Sequence, residues 1–136
     1  MYQVVKEINF CYGHRLRDYD KKCRHLHGHN GRVEIMLAAE SLDYRGMVID
    51  FEDIKNVVQH WITAELDHKM ILREDDPLIP VLRDNNEVFY LMKENPTAEN
   101  LAKLIFDYAR SQNFPVVLVR FWETPTSIAM YTESKF

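Results

Sequence analysis

The stretch Tyr2-Gln3-Val4-Val5-Lys6-Glu7-Ile8-Asn9-Phe10-Cys11-Tyr12 decides the reading of the fold. β-Branched and aromatic residues crowd it, and Val4, Lys6, Ile8 and Phe10 alternate with Val5, Glu7 and Asn9, the period of two that a pleated strand imposes. Apolar residues in both sets predict a strand buried in part on both faces. Arg32–Ala39 has the character of a second strand. Asp43-Tyr44-Arg45-Gly46 separates it from Met47-Val48-Ile49, which predicts a hairpin with Gly46 at positive φ.

Past this point the period changes. Asp50, with Asp53 three positions on, predicts an N-cap and an acidic first turn, and Phe51, Ile54, Val57, Val58, Trp61 and Ile62 then recur at helical spacing. A second helix opens at Asn95-Pro96-Thr97, with Pro96 suited to the first helical position, and carries Leu101, Leu104, Ile105 and Tyr108 on one stripe to an end near Asn113. Val116–Trp122 and Ser127–Tyr131 flank Glu123-Thr124-Pro125-Thr126 and predict a closing hairpin. Acidic residues 73–86 read as a surface excursion. The order ββααββ predicts an α+β fold, an antiparallel four-stranded sheet with two helices on one face.

At 136 residues, without repeats or a linker, the chain is expected to form a single domain over residues 1–136. A chain of this length needs neither disulfide nor structural metal in order to fold. A net charge of −4 argues against a nucleic-acid or anionic-membrane binder. Apolar runs such as Ile35–Ala39 and Pro115–Val119 fall far short of the ~20 residues of a membrane span. Two cysteines, Cys11 and Cys23, and a start without a signal-peptide pattern predict a cytoplasmic, reducing location.

Four of the six histidines, His14, His25, His27 and His29, fall within residues 14–29 beside Cys23. In an extended segment, residues two apart share a face, so His27 and His29 can converge on one ion at Zn–N distances of about 2.0–2.1 Å. The third ligand is open between His25 and His14. Cys23 either closes a structural site of one cysteine and three histidines or stands beside an open three-histidine site as a reactive thiolate. Arg15, Arg17, Lys21, Lys22 and Arg24 against Asp18 and Asp20 give residues 14–25 a charge of +3, a place for a triphosphate or merely a solvated loop.

Six ordered motifs cover most of the chain: Phe10-x-x-x-His14-Arg15-Leu16, Cys23-x-x-x-His27-Gly28-His29-Asn30, Gly46-x-x-Ile49-Asp50-Phe51, Leu66-Asp67-His68, Asn95-Pro96-Thr97-x-Glu99 and Glu123-Thr124. Together they resemble the signature set of the 6-pyruvoyl-tetrahydropterin synthase / 6-carboxytetrahydropterin synthase family. The three-residue gap between Cys23 and His27 resembles the carboxytetrahydropterin, queuosine-pathway branch; the pyruvoyl branch typically has five. Two departures stand out. Cys11-Tyr12-Gly13 occupy positions where small residues usually precede the first histidine, and the excursion over residues 73–94 is longer than in compact relatives.

The resemblance implies a T-fold (tunnelling fold), with zinc on His14, His27 and His29 and His25 outside the ligand pattern. It makes Cys23 the catalytic thiol and Asp67 with His68 an acid–base pair, and it assigns Glu123 and the adjoining Thr124 to the substrate, Glu123 holding the pterin. As sequence neighbours, Asp67 and His68 face opposite ways unless they sit in a turn. The implied reaction takes 7,8-dihydroneopterin triphosphate to 6-carboxy-5,6,7,8-tetrahydropterin, triphosphate and acetaldehyde, in 7-deazaguanine biosynthesis. Formation of 6-pyruvoyl-tetrahydropterin is the alternative, and a non-catalytic zinc-stabilised binding module the more distant one. The family places its pterin site at subunit interfaces, which implies a homotrimer or homohexamer.

Overall fold

The computed structural model describes residues 1–134. Strand β1 (Tyr2–His14) and strand β2 (His27–Ala39) pair antiparallel along their full lengths, Tyr2 opposite Ala39 and His14 opposite His27. On β1, Ile8, Phe10, Tyr12 and His14 are buried while Val5, Glu7 and Asn9 are exposed. One face of the sheet is therefore covered here, not both. On β2 the buried set is Val33, Ile35 and Leu37.

Helix α1 covers part of that face. It runs through Phe51–Ile54, a π-type stretch Lys55–Gln59 and His60–Glu65 without a break in helical backbone. Asp50 caps it, its carboxylate accepting from the Glu52 N–H at 2.9 Å. Ile54, Val58 and Ile62 are buried in the core, whereas Phe51 at the open end remains half exposed. Strand β3 (Lys69–Arg73), helix α2 (Ile79–Asp84) and strand β4 (Phe89–Met92) follow. Helix α3 (Ala98–Ser111) starts at Thr97, whose hydroxyl accepts from the Asn100 N–H, and buries Leu101, Ala102, Ile105, Phe106 and Ala109. Strands β5 (Val116–Thr124) and β6 (Ser127–Tyr131) form the closing hairpin.

The sheet has six strands in the order β4-β3-β1-β2-β5-β6, with β1–β3 and β3–β4 parallel and the remaining pairs antiparallel. This corrects the four-stranded antiparallel sheet expected from sequence. The two added strands are five and four residues long and flank the acidic stretch that suggested a solvated excursion. Their crossover through α2 gives the parallel pairing that a tight turn cannot. Asp76, read as a surface charge, is 2% exposed and takes both Arg15 Nε, at 2.8 Å, and Arg15 Nη2. That pair ties the excursion to the chain leaving β1.

Residues 47–49 do not form the expected hairpin strand. Both edges of β2 are taken, by β1 and β5. The Asp43 carboxylate instead gathers the N–H groups of Arg45 and Met47, at 2.8 and 3.1 Å, and closes the loop on itself. Gly46 does take the positive φ, +81°.

Candidate active site

The register of β1 and β2 assembles the histidines. His14 lies opposite His27 and Tyr12 opposite His29, so the three imidazoles form a triangle on the helix-covered face with ring centroids 4.5–5.0 Å apart. Gly28 is required between the two β2 histidines: a Cβ there would stand 2.9 Å from the Tyr12 carbonyl oxygen. Glu123, at the end of β5, completes a group whose ligand atoms all lie within 4.8 Å of one another.

Backbone carbonyls set the tautomers. His14 Nδ1 donates to the Pro96 carbonyl and His27 Nδ1 to the His25 carbonyl, each at 2.7 Å. A carbonyl only accepts, so Nδ1 carries a proton on each ring, and in the neutral tautomer this leaves the lone pair on Nε2. Those two Nε2 atoms stand 2.9 Å apart. Two lone pairs at that distance repel unless a cation lies between them. Burial, reinforced by His27 and His29 and opposed by the Pro96 bond, drives the His14 pKa down to about 4, so His14 itself is neutral at pH 7. His29 Nε2 is buried with no hydrogen-bond partner, although Glu123 Oε1 lies 3.0 Å away, out of line for a bond. Tetrahedral zinc spaces its nitrogens by about 3.3 Å. Four convergent donors, a neutral His14 and an orphaned nitrogen fit a divalent ion of that kind.

Asp67 and His68 form a different group. They sit in the turn before β3, where His68 takes φ +59° and its Nδ1 lies 2.9 Å from Asp67 Oδ2. The turn that sequence neighbours require is present. Cys11 holds it: its N–H donates to Asp67 Oδ1 at 3.0 Å and its carbonyl accepts the His68 N–H at 2.7 Å. Cys11 belongs to the alternation set opposite to Tyr12 and His14, so its side chain points to the other face of the sheet. The His68 side chain is 78% exposed. Cys23, on a 3-10 turn at Lys22–Arg24, belongs to neither group, so among the described residues no cysteine closes the histidine cluster. The His25 ring turns outward and accepts from Arg24 Nε at 3.3 Å; only its carbonyl serves His27. Thr124 lines a shallow groove with Asn9, Asn30, Arg32, Trp122 and Pro125, its hydroxyl accepting from the Thr126 N–H.

Sequence reasoning missed the supports. Thr97, not Pro96, borders α3, which leaves the Pro96 carbonyl outside the helix and free for His14. Asn95 accepts from the Arg17 N–H and donates to the Arg17 carbonyl, at 2.8 and 2.7 Å, fixing the chain just beyond His14. The Tyr12 hydroxyl is buried without a partner, and burial, with Glu123 nearby, pushes its pKa up.

The chain is similar in sequence and fold to known proteins. Residues 3–134 match the family model described as 6-pyruvoyl tetrahydropterin synthase. A Rickettsia typhi protein named 6-carboxy-5,6,7,8-tetrahydropterin synthase is 41% identical, covering 91% of this chain and 95% of the relative. A Haemophilus influenzae protein of that name is 30% identical over 98% of this chain and all of its own length. Among solved structures, an uncharacterised Wolinella succinogenes protein superposes with a TM-score of 0.81 at 30% identity, covering 98% of both chains. The Caenorhabditis elegans 6-pyruvoyl tetrahydropterin synthase shares the fold at a TM-score of 0.71 and 22% identity, covering 98% of this chain and 96% of its own. From the strand register that gathers His14, His27 and His29 to these full-length matches, the chain belongs to the 6-pyruvoyl tetrahydropterin synthase family.

Proposed function

We propose that this chain is a 6-carboxy-5,6,7,8-tetrahydropterin synthase, a lyase that takes 7,8-dihydroneopterin triphosphate to 6-carboxy-5,6,7,8-tetrahydropterin, triphosphate and acetaldehyde. The observation that carries it is the convergence of three imidazoles with Glu123 in a chain whose 41%-identical relative bears that name. The three-residue gap between Cys23 and His27 favours this product over the 6-pyruvoyl one.

His14, His27 and His29 would hold zinc. When bound, zinc supplies Lewis acidity to the vicinal hydroxyls of the substrate side chain. Neutral histidines suit this because they leave the ion its full charge. Cys23, a free and half-buried thiol, takes the role of base in the adjacent proton transfers. Glu123 accepts the parallel N–H groups of the pterin ring, with Thr124 beside it. The basic loop from Arg15 to Arg24 receives the triphosphate.

Asp67 orients His68 as the second acid–base group. Its carboxyl is held below the usual range: burial alone would raise it, but His68 and the Cys11 N–H outweigh that. Asp67 and His68 group with Cys11 and not with the histidine triangle, and the His68 side chain is open to solvent, so we assign the pair to the site of a neighbouring copy in a homotrimer or homohexamer. No helix among the described residues is long and apolar enough to cross a membrane. We place the enzyme in the cytoplasm, where Cys11 and Cys23 stay reduced.

Incubation of zinc-loaded protein with dihydroneopterin triphosphate tests the assignment. Acetaldehyde released in step with triphosphate is expected. Triphosphate release with a 6-pyruvoyl product and no acetaldehyde would assign the other reaction, and no triphosphate release would leave the binding-module reading.

A further inference from the structure

Cys11 stands where the family resemblance leaves no role for a thiol, yet it faces Asp67 and His68. The sulfur of Cys11, a carboxylate oxygen of Asp67 and an imidazole nitrogen of His68 lie within 4.8 Å of one another. We propose that these three side chains form a second divalent-metal site, selective for thiolate-tolerant transition metals such as zinc and cobalt(II).

Three features support it. The donor set is mixed sulfur, oxygen and nitrogen, the set that zinc takes in preference to magnesium or calcium. Thiolate and carboxylate together cancel the charge of a divalent ion. Two backbone bonds from Cys11, 3.0 Å to Asp67 Oδ1 and 2.7 Å from the His68 N–H, hold the donors together before any metal arrives. The exposed His68 ring has room to close the remaining distance, and a cleft of about 530 Å³ lined by Cys11, His68, Lys69 and Met70 gives an ion entry. Lys69, which lines the same cleft, is drawn off by its bond to the Ala64 carbonyl at 2.6 Å. On binding, the thiol proton leaves to solvent, and the metal replaces the proton between His68 Nδ1 and Asp67; that proton moves to His68 Nε2, so that the ring ligates in its neutral form.

The site's consequence rests on the proposed reaction: a metal held here removes Asp67 and His68 from proton transfer, so excess zinc inhibits. Binding itself does not depend on that reading.

The test titrates cobalt(II) into zinc-loaded protein and follows the thiolate-to-cobalt charge-transfer band in the near ultraviolet. The band is expected in the wild type and in Cys23→Ala. It should be absent in Cys11→Ser and need more cobalt in His68→Ala, whose exposed ring is dispensable for folding. A band that survives Cys11→Ser, or that vanishes with Cys23→Ala, overturns the site. Turnover of the wild type should fall as the second equivalent binds, while Cys11→Ser resists. Inhibition equal in both would overturn the regulatory consequence even with the band present. A protein that binds cobalt through Cys11 but never turns over would instead count against the proposed reaction.

Discussion

The histidine triangle and the Cys11–Asp67–His68 group each draw one residue from β1, His14 and Cys11, but are built in opposite ways. Strand register makes the first: His14 at 1% exposure, neutral, its proton fixed on Nδ1 by Pro96. A turn makes the second: His68 open to solvent, its proton shared with an ionised Asp67. A buried lone pair that stays unprotonated at neutral pH is suited to hold a cation. An exposed imidazole against a carboxylate is suited to gain and lose protons. This contrast underlies the proposed division of work between them, and alternation along β1 places His14 and Cys11 on opposite faces of the sheet.

Removing a donor from the triangle should have the largest effect. His14→Ala deletes a ligand, and because even outer-sphere partners of a metal site change affinity by about 10–100-fold, the loss should exceed roughly a hundredfold. Competition against a zinc chelator measures it. Glu123→Gln comes next: the amide offers one acceptor and one donor where the pterin needs two acceptors. Substrate affinity should drop about tenfold to a hundredfold, the equivalent of about 1.5–3 kcal/mol, with zinc content unchanged. Unaltered affinity, or lost zinc, would move Glu123 out of pterin binding and into the metal shell.

A smaller effect concerns the scaffold joining the two regions. Burial raises the Asp76 carboxyl, but the Arg15 guanidinium and the Leu78 N–H outweigh it and hold the pKa below the usual range. A carboxylate depressed on folding stabilises the protein above its unfolded pKa of about 3.9, and the contribution is lost as pH falls through the folded value. Asp76→Asn should thus cost about 1–3 kcal/mol at neutral pH, and the difference from wild type should shrink in acid. Urea unfolding of both proteins at neutral and acid pH checks the trend; a gap that persists in acid would mean that Asp76 acts through packing alone.

The smallest effect is expected at His25. Its ring makes one exposed contact while its carbonyl does the positioning, so His25→Ala should change metal affinity by no more than about twofold. A loss as large as that of His14→Ala would make His25 a ligand and redraw the triangle.

The sequence displayed these regions unequally. β1, β2, both long helices and the closing hairpin are visible as periodicity because each buries one side in a single core. β3 and β4 are too short to show a period, and the acidic residues between them mask Asp76, whose charge is buried only because Arg15 meets it. At the site, residue types show where histidines, thiol and carboxylates lie. The groups that orient them do not show, because the carbonyls of Pro96, His25 and Cys11 belong to the backbone and leave no mark in composition. Pro96 misled for a related reason: it suits the first helical position, but Thr97 is the better cap and the helix starts two residues on, at Ala98.

Division of work between copies is the central claim, and subunit mixing tests it most directly. His14→Ala protein retains Asp67 and His68 but no metal triangle; His68→Ala protein retains the triangle but no acid–base pair. Each alone should be nearly inactive. Dissociated, mixed in equal amounts and reassembled, they should recover up to about a quarter of wild-type turnover, the fraction of sites that draw each intact half from a different copy. Mixed assemblies that form but stay inactive would contradict the account and return Asp67 and His68 to the site of their own chain.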